Sequence, residues 1–162
     1  MDKIDNLKNS KIVIFTDGSC NRKIKLGGIG IILLYKNEKI TISKGFSNTT
    51  SPRMELIAVI EALSNVNITH LPIEIFCDNQ YSCYIWQKQW YRSWEEQDFL
   101  GTANKDLIVR YLEQFRRFTN IKINWIRGHG RNNEEDINIL NEEADQLANY
   151  KQFTMYLEDT RT

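Results

Sequence analysis

No apolar run in this chain approaches the roughly 18 residues needed to cross a bilayer, and the polar opening from Met1 to Ser10 lacks a signal-peptide core. The sequence therefore gives no support for membrane insertion or export, and an intracellular protein is expected. Cysteine is scarce: Cys20, Cys77 and Cys83 form no C-x-x-C pair and have no histidines at zinc-site spacing. Free thiols in a reducing compartment, cytoplasm or nucleus, are the expectation. Net charge is also missing, because 21 Lys and Arg balance 21 Asp and Glu. The whole chain is no polycation, so any surface for nucleic acid has to be a local patch. Over 162 residues there is no internal repeat, low-complexity run or second domain, and this length fits one domain able to bury its own core. The 41% apolar and 26% charged residues are the balance of an ordinary globular protein.

What the chain does have is organised around Lys11-Ile-Val-Ile-Phe-Thr-Asp-Gly-Ser19. Ile12 to Thr16, apolar or β-branched throughout, read as a strand buried on both faces, since a half-exposed strand would alternate with polar residues. Alternation of side chains puts Asp17 on the face of Val13 and Phe15, at the strand's end. A carboxylate among apolar neighbours is costly unless a cation or hydrogen-bond donors compensate, so Asp17 is a candidate metal ligand. Taken alone, Asp-Gly-Ser is more readily read as a turn, and it is the acidic residues further on that favour the ligand.

In chain order, Cys20 to Gly28 is a loop with three cations, Gly28 to Tyr35 a second strand, Asn37-Glu38 a hairpin turn and Lys39 to Phe46 a third strand. Short connections make these three an antiparallel meander. A helix follows, with Ser51 suited to the N-cap, Pro52 to the first position, and Leu56, Val59, Ile60 and Leu63 on the core face. Pro72 to Asp78 repeats the opening theme and should run parallel to the first strand through a right-handed crossover. Asn79 to Trp94 reads as one or two helices carrying Trp86, Trp90 and Trp94 on one face, as core or as a binding surface. Glu95 to Thr102 is an acidic loop, Asn104 to Phe118 an amphipathic helix, Ile121 to Ile126 a fifth strand, and a last helix runs from about Asn138 to Tyr150. The fold class is α/β, a five-stranded mixed sheet (three antiparallel strands, then parallel ones) with helices on both faces. Residues 1–10 form a polar extension, 11–150 the domain and 151–162 a tail.

Four acidic residues fall where a site at a sheet edge belongs: Asp17, Asp78, Glu55 in the first turn of the helix after Pro52, and Asp145 in the last helix. Like charges this close need a counter-cation. Carboxylates without Cys or His clusters select magnesium or manganese over zinc. Two such ions about 4 Å apart activate water and stabilise a leaving oxygen, which makes phosphodiester hydrolysis the leading chemistry.

The motifs Thr16-Asp-Gly-Ser19, Arg53-Met-Glu-Leu56, Cys77-Asp-Asn-Gln-Tyr81, Asn104-Lys-Asp-Leu107, Trp125-Ile-Arg-Gly-His129 and Asn141-Glu-Glu-Ala-Asp145, in that order, closely resemble cellular ribonuclease H of type 1. The resemblance spans about Lys11 to Tyr150 and implies a ribonuclease H-like fold and an endoribonuclease that cuts the RNA strand of an RNA/DNA hybrid. It implies two Mg2+ ions (Mn2+ as a substitute) and products with 3′-hydroxyl and 5′-phosphate ends. The family's carboxylates map onto Asp17, Glu55, Asp78 and Asp145. His129, in a loop between glycines, resembles the flap histidine that moves a proton or helps product leave; otherwise it is a solvated loop histidine. The resemblance places Cys20, Glu55 and Gln80 near the RNA strand, Thr50 and Asn104 at a DNA phosphate with Arg53 beside them, and Trp90 and Trp94 along the DNA channel. Thr50 and Asn104 equally suit turn bonding and helix capping. His70 and the run Glu134, Glu135 and Asp136 read as solvated.

The sequence departs from its relatives in four places. The segment between Asp78 and Asn104 is shorter and carries Glu95, Glu96 and Asp98 in place of a lysine-rich handle. Ser51-Pro52 replaces a polar pair, and Asn48 stands where relatives often have a phosphate-pocket arginine. The spacing from His129 to Asp145 is longer than in bacterial relatives. Arg22, Lys23 and Lys25 offer alternative phosphate contacts. A monomer acting on a hybrid duplex, with no separate hybrid-binding domain, is expected. A catalytically inactive hybrid-binding module and a detached domain of the reverse-transcriptase type are the competing readings.

Overall fold

A computed structural model describes residues 3–161. Its sheet has six strands in the order β5-β4-β1-β2-β3-β6. The meander β1 (Ile12–Asn21), β2 (Leu26–Tyr35) and β3 (Glu38–Ser47) is antiparallel, and β4 (Ile73–Cys77) and β5 (Ile121–Trp125) add in parallel on the β1 side. The sixth strand, β6 (Tyr156–Glu158), runs parallel to β3 at the opposite edge. It lies within the segment that the sequence suggests is a tail, so that reading and the count of five strands are corrected. The short strand was illegible because three residues carry no usable periodicity.

Alternation along β1 divides the interior into two cores. Ile12 and Ile14 enter a large cluster under α2 (Ser51–Ser64), α3 (Gln80–Gln87) and α5 (Lys105–Phe115). Val13 and Phe15 enter a smaller one under α1 (Lys3–Leu7) and α6 (Glu135–Leu147), with Phe15 stacked on Phe76 at 5.1 Å. On α5 the amphipathic pattern holds: Leu107, Ile108, Tyr111, Leu112 and Phe115 are buried, each contributing about 1.5–3 kcal/mol. By contrast, α2 is buried without interruption from Arg53 to Ile60, because it is packed between the sheet and α5. A single core face was too narrow a reading.

Several boundaries differ from expectation. Thr50, not Ser51, caps α2, its Oγ1 accepting from the Arg53 amide. The tryptophan segment is broken after α3, with α4 (Tyr91–Glu96) starting afresh, so the three indoles do not share one helix face. The polar N-terminal extension is folded: Ile4 is buried, and its amide donates to Asp136 Oδ2 at 2.6 Å. Met1, Asp2 and Thr162 lie outside the described residues. Cys77 and Cys83 are joined as a disulfide and Cys20 alone is free, which corrects the expectation of three free thiols. Among the described residues no helix is long and apolar enough to cross a membrane.

Candidate active site

The register of β1 against β4 pairs Thr16 with Cys77, so the next residues, Asp17 within β1 and Asp78 just past the end of β4, lie side by side. Glu55 arrives from above. Gly18 makes this possible, because a Cβ there would lie 2.6 Å from the Glu55 amide nitrogen; without one, the first turn of α2 rests directly on β1. Asp17, Glu55 and Asp78 each offer a carboxylate oxygen, and these three atoms lie within 4.8 Å of one another.

Such a cluster is electrostatically unsatisfied. Burial, then the charges of Glu55, Asp78 and Asp145, push the Asp17 carboxyl up to about 11. Burial first and Asp78 second push Glu55 well above the usual carboxylate range, opposed in part by the Gly18 amide. Glu55 Oε2 is buried with no hydrogen-bond partner, as are Thr16 Oγ1 and Asn141 Oδ1. Three converging hard oxygens, with a buried and unpartnered oxygen on Glu55, suit a magnesium-type cation. A cation there would reverse the cost of crowding the carboxylates.

The fourth carboxylate comes from α6. A Cβ at Gly30 would sit 2.1 Å from the Ala144 carbonyl oxygen, so this helix lies against the β2 backbone with nothing between. That contact carries Asp145, the next residue, to where its exposed side chain shares a hydrogen bond with Asp17. Asp145 stands outside the group of three, at its rim. One turn earlier on the same helix, Asn141 donates to Asp78 Oδ2 at 3.1 Å. Asn141 was missed in the sequence, although its four-residue spacing from Asp145 places both on one helical face. Gly18 and Gly30 were missed as well, since closeness of backbones leaves no local signal.

His129 is exposed in the loop after β5, with φ 57°. The loop passes close to the cluster: a Cβ on the preceding Gly128 would lie 3.0 Å from Asp78 Oδ2. His129 itself borders an open cavity along α6 with Glu135, Asn138 and Glu142. Asn132 and Asn138 pin the loop to that helix, with the Asn132 amide and Nδ2 both donating to Asn138 Oδ1 and Asn138 Nδ2 donating to the Asn132 carbonyl.

Among the other candidates, Thr50, Arg53 and Asn104 are brought together, Arg53 Nη1 reaching Asn104 Oδ1 at 3.5 Å. Asn104 does not cap α5 with its side chain; its backbone is left-handed, φ 56°. Arg53 is only 2% exposed, and its guanidinium is taken up by Asp106 and by Asp159, a buried residue just beyond β6. Asp159 had no signal in the sequence. Cys20 is half-buried, its thiol directed to the Thr49 carbonyl, while Lys23 and Gln80 are exposed. Trp90 is exposed and meets Tyr84 edge-on, and Trp94 packs partly against the larger core. Trp86 is stacked on Tyr91 and leans on Phe115, so it belongs to the core.

Residues 9–152 match the family described as RNase H. The chain is 38% identical over 157 residues to a "Ribonuclease H" of Actinobacillus succinogenes, covering 93% of this chain and 95% of the relative. It is 37% identical over 147 residues to the "Ribonuclease HI" of Haemophilus influenzae, covering 85% and 87%. It is 33% identical over 153 residues to a "Ribonuclease H" of Desulforamulus reducens, covering 91% of each.

Proposed function

Because the chain belongs to the ribonuclease H family, we propose that it is an endonuclease cutting the RNA strand of RNA/DNA hybrids and leaving 3′-hydroxyl and 5′-phosphate ends. The observation that carries this reading is the packing of Asp17, Glu55 and Asp78, with three oxygens within 4.8 Å and Glu55 Oε2 orphaned. A pure binding module would gain nothing from keeping that repulsion.

In this reading Asp17, Glu55 and Asp78 hold one Mg2+ ion, and Asp145 with Asp17 completes the place of a second, Mn2+ serving in substitution. Ions bound there supply a lowered pKa for the attacking water and charge stabilisation at the leaving oxygen. The remaining work falls to the chain's own residues. Glu55 also accepts a hydrogen bond from the RNA 2′-hydroxyl, the group that tells RNA from DNA in a shallow minor groove. Asn141 holds Asp78 in place through its Nδ2. His129, on its exposed loop, hands a proton to the leaving 3′ oxygen or helps the product depart. Cys20, Gln80 and Lys23 flank the RNA strand. Thr50 and Asn104, with Arg53 fixing their spacing, face the DNA strand, and Trp90 and Trp94 border it. The protein acts as a monomer.

A labelled hybrid incubated with Mg2+ should be cut in its RNA strand only, with single-stranded RNA and duplex DNA untouched. Asp78→Asn should lose at least a hundredfold in rate. An inactive wild type, or a fully active Asp78→Asn variant, overturns the assignment.

A further inference from the structure

Beside the acidic cluster lies an open cleft of about 670 Å3, bordered by Arg53, Asn104, Lys105, Asp106, Arg110 and Arg161. It is the local concentration of positive charge that a chain of zero net charge must have if it is to bind a polyanion. Arg53 is already neutralised by Asp106 and Asp159. Lys105, Arg110 and Arg161 are exposed, and none of them has an ion-pair partner among the described residues.

Arg161 is exposed without being loose. Its Nη1 donates to the Asn48 carbonyl at 2.7 Å and to the Asp159 carbonyl at 3.1 Å. The backbone behind it is tied down as well, with the Asp159 amide on the Ser47 carbonyl at 3.0 Å and the Asp159 side chain locked by Arg53. One nitrogen of the guanidinium is thus spent on holding its position, and the Nε and Nη2 edge makes no hydrogen bond with the described protein. A planar edge of two parallel donors fits two oxygens of one phosphodiester. The cleft shares Arg53 with the first turn of α2, two residues from Glu55, so a duplex lying over the carboxylates passes it.

We propose that Arg161, with Lys105 and Arg110, grips a backbone phosphate of the hybrid. Arg161 lies beyond the residues 9–152 that match the family, so this would be a property of this chain's C-terminal segment. The proposal rests on the hybrid-nuclease reading above.

The test compares wild type, Arg161→Ala and Arg161→Lys, with Lys36→Ala at the remote β2–β3 turn as control. Binding to a fluorescein-labelled RNA/DNA hybrid is followed by anisotropy in EDTA across a series of salt concentrations, and kcat and KM are measured separately in Mg2+. Arg161→Ala should weaken binding roughly three- to tenfold at low salt and flatten the plot of log affinity against log salt by about one unit. KM should rise with kcat unchanged, Arg161→Lys should fall between, and Lys36→Ala should match wild type. A merely structural role for Arg161 would lower affinity without changing the salt slope, and that result overturns the proposal. An unchanged affinity in Arg161→Ala, with wild type cutting the hybrid normally, overturns this proposal alone. A wild type that neither binds nor cuts the hybrid removes both readings together.

Discussion

Arg53 and Asp159, 106 residues apart, meet through two parallel hydrogen bonds, Nε to Oδ2 at 2.7 Å and Nη2 to Oδ1 at 2.9 Å, with 2% and 4% of their surfaces exposed. Asp106 takes the remaining face of the same guanidinium at 2.8 and 2.9 Å, and Thr49 Oγ1 adds a third donor to Asp159. The first turn of α2, the first turn of α5 and the C-terminal segment are thereby joined at one cation.

Removing Asp159 leaves half of a buried guanidinium unpaired. Asp159→Ala should therefore destabilise the protein by about 3 kcal/mol, the lower end of the range for breaking a buried pair, because Asp106 remains. Urea denaturation followed by circular dichroism measures it. A loss below about 1 kcal/mol, the range of surface pairs, would show that the pair is not the closed contact described.

The acidic cluster makes a prediction about pH whose sign is opposite to that of a salt bridge. Burial and the neighbouring carboxylates push the Asp17 carboxyl up to about 11 in the folded chain, from 3.8 for the free side chain. Between these values the folded state binds more protons, so the metal-free protein should lose stability steadily as pH rises from about 4 through 7. Asp17→Asn removes the Asp17 share of this dependence, leaving that of Glu55, and should raise the stability of the metal-free protein at pH 7 by about 1–3 kcal/mol. Mg2+ should raise the melting temperature of wild type and hardly move that of Asp17→Asn. Thermal melts at several pH values in EDTA and in Mg2+ give all three quantities, and a pH slope unaffected by the substitution would count against the cluster as described.

Gly30→Ala tests how α6 delivers Asp145. The added methyl would meet the Ala144 carbonyl at 2.1 Å, a backbone atom that cannot swing aside, so the helix must lift. Overpacking of this kind costs about 1–3 kcal/mol, and the rate of hybrid cleavage should fall at least tenfold as Asp145 is displaced. Denaturation and cleavage assays on the same preparation check both. A stable variant with full activity would show that Asp145 does not depend on that contact.

Much of the fold was legible because strong periodicities belong to long elements. The run through Ile12 to Thr16 announced a central strand, and the apolar stripe from Leu107 to Phe115 announced α5. Asp17 and Asp78 were legible from their misfit, as each ended an apolar run, whereas Asp145 sits in the polar run Asn141-Glu-Glu-Ala-Asp145 and carried no such mark. Contacts between remote backbones were not. Gly18 and Gly30 matter only because α2 and α6 rest on them, and nothing adjacent in the chain reports that. Asp159 and β6 were invisible for a related reason: three residues of strand and one acid acquire meaning only when Ser47 and Arg53 are placed beside them. Cys77 and Cys83 were read as separate thiols because helical α3 folds back over the end of β4, a geometry their spacing alone does not fix.

The three-way junction at Arg53 also bears on how the protein is made. Translation releases residues in numerical order, and domains tend to organise as their segments emerge. Asp17, Glu55, Asp78 and Asp145 all leave the ribosome before Asp159 does, so the nascent polypeptide passes through a stage in which these carboxylates exist while the anchor of α2 is still missing. Full anchoring of α2, and with it of Glu55, should then wait for Asp159, which makes the stretch beyond Leu147 a lock that closes after the carboxylates are in place.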